Sequence, residues 1–310
     1  MTIQKRDIIA IGGSAGALDA LKVIAGGLQA DLPCAILVTT HIGAGIGGKS
    51  YMADILSKAG PMPARHPVDG EKIKNGVIYI APPDQHMTIA HDEIRLQRGP
   101  KENMSRPAIN PLFRSVAHSF GTRAAGIILS GMLDDGVAGL AEIKRHGGFA
   151  AVQDPNTAAY RAMPQNALNT VEVDKIASVA EIAGLITELA KNGAPSKPLE
   201  DKMEEHQVKI TCPECRGPLW KKTQGRIVEY ECRVGHRYSP LALNHDHNIT
   251  IERSLWSLLV AIEEAAEMSE SLGAGDPSSP YLADALRRRN QAEEIRAMLL
   301  EDQKNSVELP

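Results

Sequence analysis

The chain has 310 residues, with 43% apolar and 4% aromatic side chains, enough for one substantial domain and one or two small ones. A formal net charge of −4 gives no electrostatic footprint for nucleic acid. No apolar run is long enough to cross a bilayer, and no signal-like segment precedes the first strand, so a cytoplasmic location is expected.

The stretch Asp7-Ile8-Ile9-Ala10-Ile11-Gly12-Gly13-Ser14-Ala15-Gly16-Ala17-Leu18 joins an apolar run of strand length to small residues, and Leu18, Leu21 and Ile24 follow at helical spacing. It predicts a buried strand that turns sharply into a helix. Ser14 sits at the turn with Gly12 and Gly16 two residues to either side, where the backbone bends tightly and a substrate approaches closely. Free N–H groups at a helix start stabilise an oxyanion beside such a hydroxyl. The alternative is a phosphate-cradling loop. A dinucleotide site also wants an acidic residue at the end of the second strand, where this chain has Thr39-Thr40-His41.

Further along, a strand at 35–40 ends at His41, followed by a Gly-rich loop at 43–48 and a short helix near 51–58. A strand at 76–81 stops at Pro82-Pro83, and runs 86–90 and 93–97 read as an appended hairpin. A helix near 111–120 leads to a strand at 124–129, the loop Ser130–Gly136 and a helix to about His146. A strand at 149–153, a short helix around Gln165 and a helix at 180–191 complete the alternation. The expected fold class is α/β, a mainly parallel doubly wound sheet over residues 1–191. Residues 192–208, rich in Pro, Gly and charge, read as a linker. A small Cys/His module at 209–240 and a helical hairpin at 241–310 follow. The charged residues of that tail, Glu263, Glu264, Arg287, Arg288 and Arg289, read as solvated faces.

Three residue types of serine hydrolysis stand at strand ends: Ser14, His41, and Asp134 or Asp135. The hydroxyl needs an imidazole to take its proton and a carboxylate to fix the imidazole's tautomer. Each also has a plainer reading. Ser14 suits a helix N-cap, His41 a backbone-satisfied histidine, and one of the two aspartates the cap of the next helix. His86 is a rival base. Of the four cysteines, Cys34 lies alone in a strand and reads as buried packing. Cys212, Cys215, Cys232 and His236 form a CxxC…CxxxH set, which favours a closed structural zinc site of zinc-ribbon type over disulfides.

Ile11-Gly12-Gly13-Ser14-Ala15-Gly16-Ala17-Leu18-Asp19-Ala20-Leu21 resembles the nucleophile segment of the chemotaxis protein-glutamate methylesterase (CheB) family. Four further segments resemble that family in order. These are Thr40-His41, Tyr79–Met87, Ser105-Arg106-Pro107 with Leu112–Ala117, and Leu129–Leu140. The resemblance implies Ser14 as nucleophile, His41 as base and Asp135, just before Gly136, as the orienting carboxylate, which leaves Asp134 as the cap. Backbone N–H groups of Ala15 and Met132 are the expected oxyanion donors, and His86 and Arg106 the substrate-binding candidates. No cofactor is needed for the chemistry. The implied activity is hydrolysis of glutamate methyl esters on methyl-accepting receptors or similar sensor proteins, with glutamine deamidation as a second activity and contact with the membrane only through those receptors. The sequence departs from the family at Ala15, Ala17 and Ile42-Gly43, and no receiver domain precedes the catalytic unit, so control by phosphorylation of the same chain is not expected. The competing reading is a non-catalytic adaptor with an esterase-like fold that docks sensor proteins.

Overall fold

A computed structural model describes residues 5–41, 50–199 and 202–305. The expected Gly-rich loop at 43–48 and the departure at Ile42-Gly43 lie outside them. The first strand, β1 (Ile8–Gly13), is buried along its whole length, as a central parallel strand covered on both faces requires. It leads through α1 (Ala17–Gly27), β2 (Ala35–Thr40), α2 (Met52–Ala59), β3 (Ala64–Arg65) and β4 (Glu71–Lys72) to β5 (Ile78–Ile80). Next come the hairpin β6 (His86–Ala90) and β7 (Glu93–Gln97), then α3 (Ile109–Phe120), β8 (Ala124–Ile128), α4 (Val137–Arg145), β9 (Phe149–Gln153), α5 (Ala162–Thr170), β10 (Lys175–Ala177) and α6 (Val179–Lys191). Seven strands form one parallel sheet in the order β10-β9-β8-β1-β2-β5-β3, and β4, β7 and β6 form a small antiparallel sheet.

Period-two alternation along β1 divides the core. Ile9 and Ile11 pack with Leu21 and Ile24 of α1, Leu56 of α2 and Ile186 of α6. Ile8 and Ala10 join Phe113 and Val116 of α3, Leu140 of α4 and Met163 of α5 on the opposite face. Helix α6 starts with a capping box in which the Glu181 carboxylate accepts from the Ser178 N–H at 2.8 Å. Arg6 is buried and donates to the carbonyls of Gly147 and Ala194, each at 3.0 Å, which ties the first strand to the segment after α6. Cys34 is fully buried, and burial pushes its thiol up to about 12.

The segment expected as linker is partly structured: β11 (Met203–Thr211) begins inside it and pairs antiparallel with β12 (Pro218–Gln224), with a register shift between Gln207 and Thr211. Its polar residues form a strand because the partner strand satisfies their backbone groups. With β13 (Ile227–Cys232) and β14 (Arg237–Tyr238), these strands make a four-stranded antiparallel sheet. That module belongs to one compact unit with the catalytic fold, Met1–Leu243, and Ile227 contributes to the same core as Phe113.

The second unit, Asn244–Pro310, is built from α7 (Pro240–Gly273) and α8 (Pro280–Asn305). Leu259 packs against Ala292, Ile295 and Leu299. The ion pairs Glu270–Arg289 and Glu263–Arg296 run in opposite directions along the two helices, which makes an antiparallel hairpin. The charged faces are therefore laced by ion pairs, Arg287 and Arg288 both reaching Asp284. Among the described residues, no helix is long and apolar enough to cross a membrane.

Candidate active site

The chain order reverses around β1, with β2 on one side and β8 on the other, and open parallel sheets bind ligands beyond the carboxyl ends of strands at such a point. Gly13 is in register with Thr40, so Ser14 and His41 are neighbours one residue past the paired ends, and the His41 N–H donates to the Gly13 carbonyl at 3.4 Å. On the other side the Ser14 N–H donates to the Ser130 carbonyl at 2.9 Å. Ser14 thus lies between the loops that follow β2 and β8.

The turn at Ser14 depends on Gly16, which has φ +74°, and a Cβ there would stand 2.7 Å from the Ala159 Cβ. Gly16, not Ser14, caps α1, so the N-cap reading of Ser14 fails because the serine lies upstream of the helix in the tight turn. Gly131 is equally constrained: a Cβ would come within 3.0 Å of the Ser14 Cβ and 2.6 Å of the Met163 side chain. Ser130 locks the two loops together, its hydroxyl donating to the Ala15 carbonyl at 2.8 Å and accepting from the Tyr160 N–H at 2.8 Å. The N–H groups of Ala15 and Met132 bond to no other described residue.

His41 and Asp135 meet although 94 residues apart, with Nε2 to Oδ2 at 2.7 Å. Asp135 is 2% exposed and surrounded by donors. Oδ2 also accepts from the Ile109 N–H at 2.6 Å, while Oδ1 accepts from Asn103 Nδ2 at 3.0 Å and the Asn110 N–H at 3.4 Å. Burial alone would push this carboxyl up. The His41 hydrogen bond and charge, with the Ile109 and Asn103 donors, outweigh it and hold Asp135 below the usual carboxylate range. Its Oδ2 accepts the proton on His41 Nε2, and Nδ1 is the other ring nitrogen.

Three expectations change. Asp134 is not a helix cap, since Gly136 takes that position without a side-chain bond; instead its Oδ1 accepts from the Ser239 hydroxyl at 2.5 Å. His86 is 5% exposed and both its nitrogens serve the backbone, Nδ1 accepting from the Ala108 N–H at 3.2 Å and Nε2 donating to the Pro100 carbonyl at 2.9 Å. Both ring nitrogens are thus engaged by the backbone. The Arg106 guanidinium is likewise engaged, by Asp84 at 2.6 and 2.8 Å and by the Gly99 carbonyl at 2.8 Å. Asn103, by contrast, carried no sequence signal: it stands between the quoted segments Tyr79–Met87 and Ser105-Arg106-Pro107 and meets Asp135 only through the fold.

Burial pushes the Asp134 carboxyl up to about 6, against the Ser239 hydroxyl that favours its charged form, and the Asp135 charge adds to the rise. A carboxyl that binds its proton more tightly when folded makes stability fall as pH rises from about 4 to about 6 and level off above that. The substitution Asp134→Asn removes this slope. Urea unfolding across that range should give a flatter profile for the variant than for the wild type.

Cys212, Cys215, Cys232 and His236 offer one donor atom each, all within 4.8 Å of one another. Cys215 Sγ lies 3.6 Å from Cys232 Sγ, and Cys232 Sγ lies 3.5 Å from His236 Nδ1. A tetrahedral zinc with Zn–S near 2.3 Å and Zn–N near 2.05 Å demands edges of about 3.8 and about 3.6 Å. The donor set therefore fits zinc, and the sulfur separation is far beyond a disulfide bond.

Comparison with known proteins now bears on this geometry. The family model described as CheB methylesterase matches residues 9–186. The chain belongs to the CheB methylesterase family. It is 36% identical over 187 residues to a putative protein-glutamate methylesterase/protein-glutamine glutaminase of Leptospira interrogans, covering 60% of this chain and 96% of that protein. It is 38% identical over 164 residues to protein-glutamate methylesterase/protein-glutamine glutaminase 3 of Anaeromyxobacter dehalogenans, covering 52% of this chain and 47% of the relative. The crystal structure of the Thermotoga maritima CheB methylesterase catalytic domain matches with a TM-score of 0.56 and 27% identity, over 60% of this chain and all of that one. The CheB unit thus coincides with the parallel sheet and its helices, and the module and hairpin lie beyond it.

Proposed function

We propose that this protein is a protein-glutamate methylesterase that removes methyl esters from glutamate side chains of methyl-accepting chemotaxis receptors or similar methylated sensor proteins. The observation that carries the reading is the hydrogen-bonded pair of His41 and the buried Asp135, with His41 one residue past the end of β2 and Ser14 one residue past the end of the neighbouring β1. An adaptor has no use for an ionised carboxylate sealed behind a histidine, because burying a charge is costly unless it has work to do.

In the proposed reaction the Ser14 hydroxyl oxygen attacks the ester carbonyl carbon and its proton passes to His41 Nδ1. Asp135 stabilises the imidazolium across the Nε2–H bond. The tetrahedral oxyanion is held by the Ala15 and Met132 N–H groups, each such donor typically contributing ~10²–10³ in rate. Collapse breaks the carbon–methoxy bond, and His41 returns the proton to the departing oxygen as methanol leaves. Water then gives a proton to His41 and attacks the acyl carbon; the bond to Ser14 Oγ breaks, His41 returns the proton to that oxygen, and free glutamate leaves. A glutamine amide passes through the same kind of intermediate with ammonia leaving, and the paired names of the relatives support this second activity.

Cys212, Cys215, Cys232 and His236 would hold a structural zinc, whose closed four-ligand shell leaves no position for catalytic water. When bound, it supplies cross-linking and not chemistry. The reading is tested by incubating the full chain with a receptor fragment carrying glutamate methyl esters. Methanol released in proportion to protein supports it. Absence of methanol, with the ester count on the fragment unchanged, contradicts it.

A further inference from the structure

Asp135 is linked, through the loop that carries Asn103, to a part of the chain outside the CheB unit. Residues Glu102 to Ser105 form a tight turn closed by reciprocal backbone bonds, Glu102 N–H to the Ser105 carbonyl at 3.3 Å and Ser105 N–H to the Glu102 carbonyl at 2.9 Å. At its centre Asn103 and Met104 have φ of +47° and +62°, a left-handed pair that only asparagine of the two adopts readily. Such a turn persists when its surroundings hold it.

The surroundings are the Cys/His module. The Asn103 N–H donates to the Arg237 carbonyl at 2.8 Å, and the Ser239 N–H donates to Asn103 Oδ1 at 2.8 Å. Met104 packs on the module's small core of Cys212, Leu219, Cys232 and Tyr238. Lys101 pairs with Glu214, between Cys212 and Cys215, at 2.7 Å. Gly235 lies so close to Pro100 that a Cβ would stand 3.3 Å from its ring. Both halves of the donor set, Cys212–Cys215 and Cys232–His236, therefore bear on the loop that carries Asn103. On its other side Asn103 Nδ2 donates to Asp135 Oδ1 at 3.0 Å, and Asp135 holds His41.

We propose that metal bound by Cys212, Cys215, Cys232 and His236 sets the activity of the esterase by clamping Asn103 against Asp135. Asn103 is then a positioning residue and the module a working part of the active site. The inference rests on reading Ser14, His41 and Asp135 as the catalytic groups. Without the ion, the two halves of the donor set lose their common anchor, so metal loss loosens the turn, frees the amide and lets Asp135 re-aim His41. A misplacement of about 1 Å at a reacting group typically costs ~10² in rate.

The test uses the full chain and reads zinc content, kcat and KM for methanol release, and the downfield proton resonance of the His41 Nε2–H. The wild type should purify with stoichiometric zinc. Chelation should lower kcat about 10²-fold with KM little changed, displace the His41 resonance, and be reversed by added zinc. Asn103→Ala should give the same loss and the same displaced resonance with zinc retained. Chelating that variant should add little, because both changes act on one contact. A zinc-free wild type that keeps its kcat and its resonance overturns the proposal, as does multiplication of the two effects. Should chelation unfold the chain, folded and zinc-loaded Asn103→Ala decides alone, and an unchanged kcat with an unchanged resonance overturns it. If no methanol is released by any form while the His41 resonance still follows zinc, the substrate assignment falls and the link between module and Asp135 stands.

Discussion

Replacing Ser14 with alanine lowers kcat for methanol release by about 10⁶, the loss typical when a serine nucleophile is removed from an intact triad. The effect falls on kcat because the change deletes one hydroxyl from a turn whose shape is set elsewhere. Gly16 and Gly131 fix the backbone there, and the Ser14 N–H stays bonded to the Ser130 carbonyl. Substrate therefore still binds, and KM changes little. The oxyanion donors at Ala15 and Met132 remain, so a residual ~10³–10⁴ acceleration over water survives. Single-turnover methanol release, with circular dichroism to show the fold retained, checks the result.

The second large effect belongs to Asp135→Asn, expected to lower kcat by about 10⁴. The two carboxylate oxygens both accept: Oδ2 from His41 and the Ile109 N–H, Oδ1 from Asn103 and the Asn110 N–H. An amide has one oxygen and one NH₂, so either orientation sets a donor against donors. With NH₂ toward His41, the imidazole must accept at Nε2 and carry its proton on Nδ1, and it then cannot take the proton of Ser14. With NH₂ toward Asn103, two amide donors face each other in a buried site, an unsatisfied arrangement of the costly kind. Because Asp135 is held below the usual carboxylate range, acidification to pH about 5 should not mimic the variant. The pH profile of kcat/KM for wild type and Asp135→Asn separates the two cases.

The strand–turn–helix at Ser14 was legible because a run of six buried residues followed by small ones has few other solutions. His41 and Asp135 were legible as types at strand ends, though only the pairing of Gly13 with Thr40 explains why the histidine stands next to the serine. Asp134 misled because an aspartate before a helix suggests a cap, whereas Gly136 in the left-handed region does that work and Ser239 claims the carboxylate. His86 misled because a histidine in a matching segment carries no mark of the two backbone groups that occupy its ring. β3, β4 and β10 escaped notice because two or three residues show no period. Nothing in the sequence linked Asn103 to Ser239, since that contact joins residues 136 apart that meet only once the module has packed into the same compact unit.

The most direct measurement is peptide mass mapping after treatment with a fluorophosphonate, which phosphonylates activated serines with loss of fluoride and without needing the natural substrate. A stoichiometric adduct on Ser14 is expected, formed far more slowly in Asp135→Asn and His41→Ala. A protein that releases methanol while Ser14 stays unmodified, or that is labelled at Ser14 equally fast in all three forms, would contradict it.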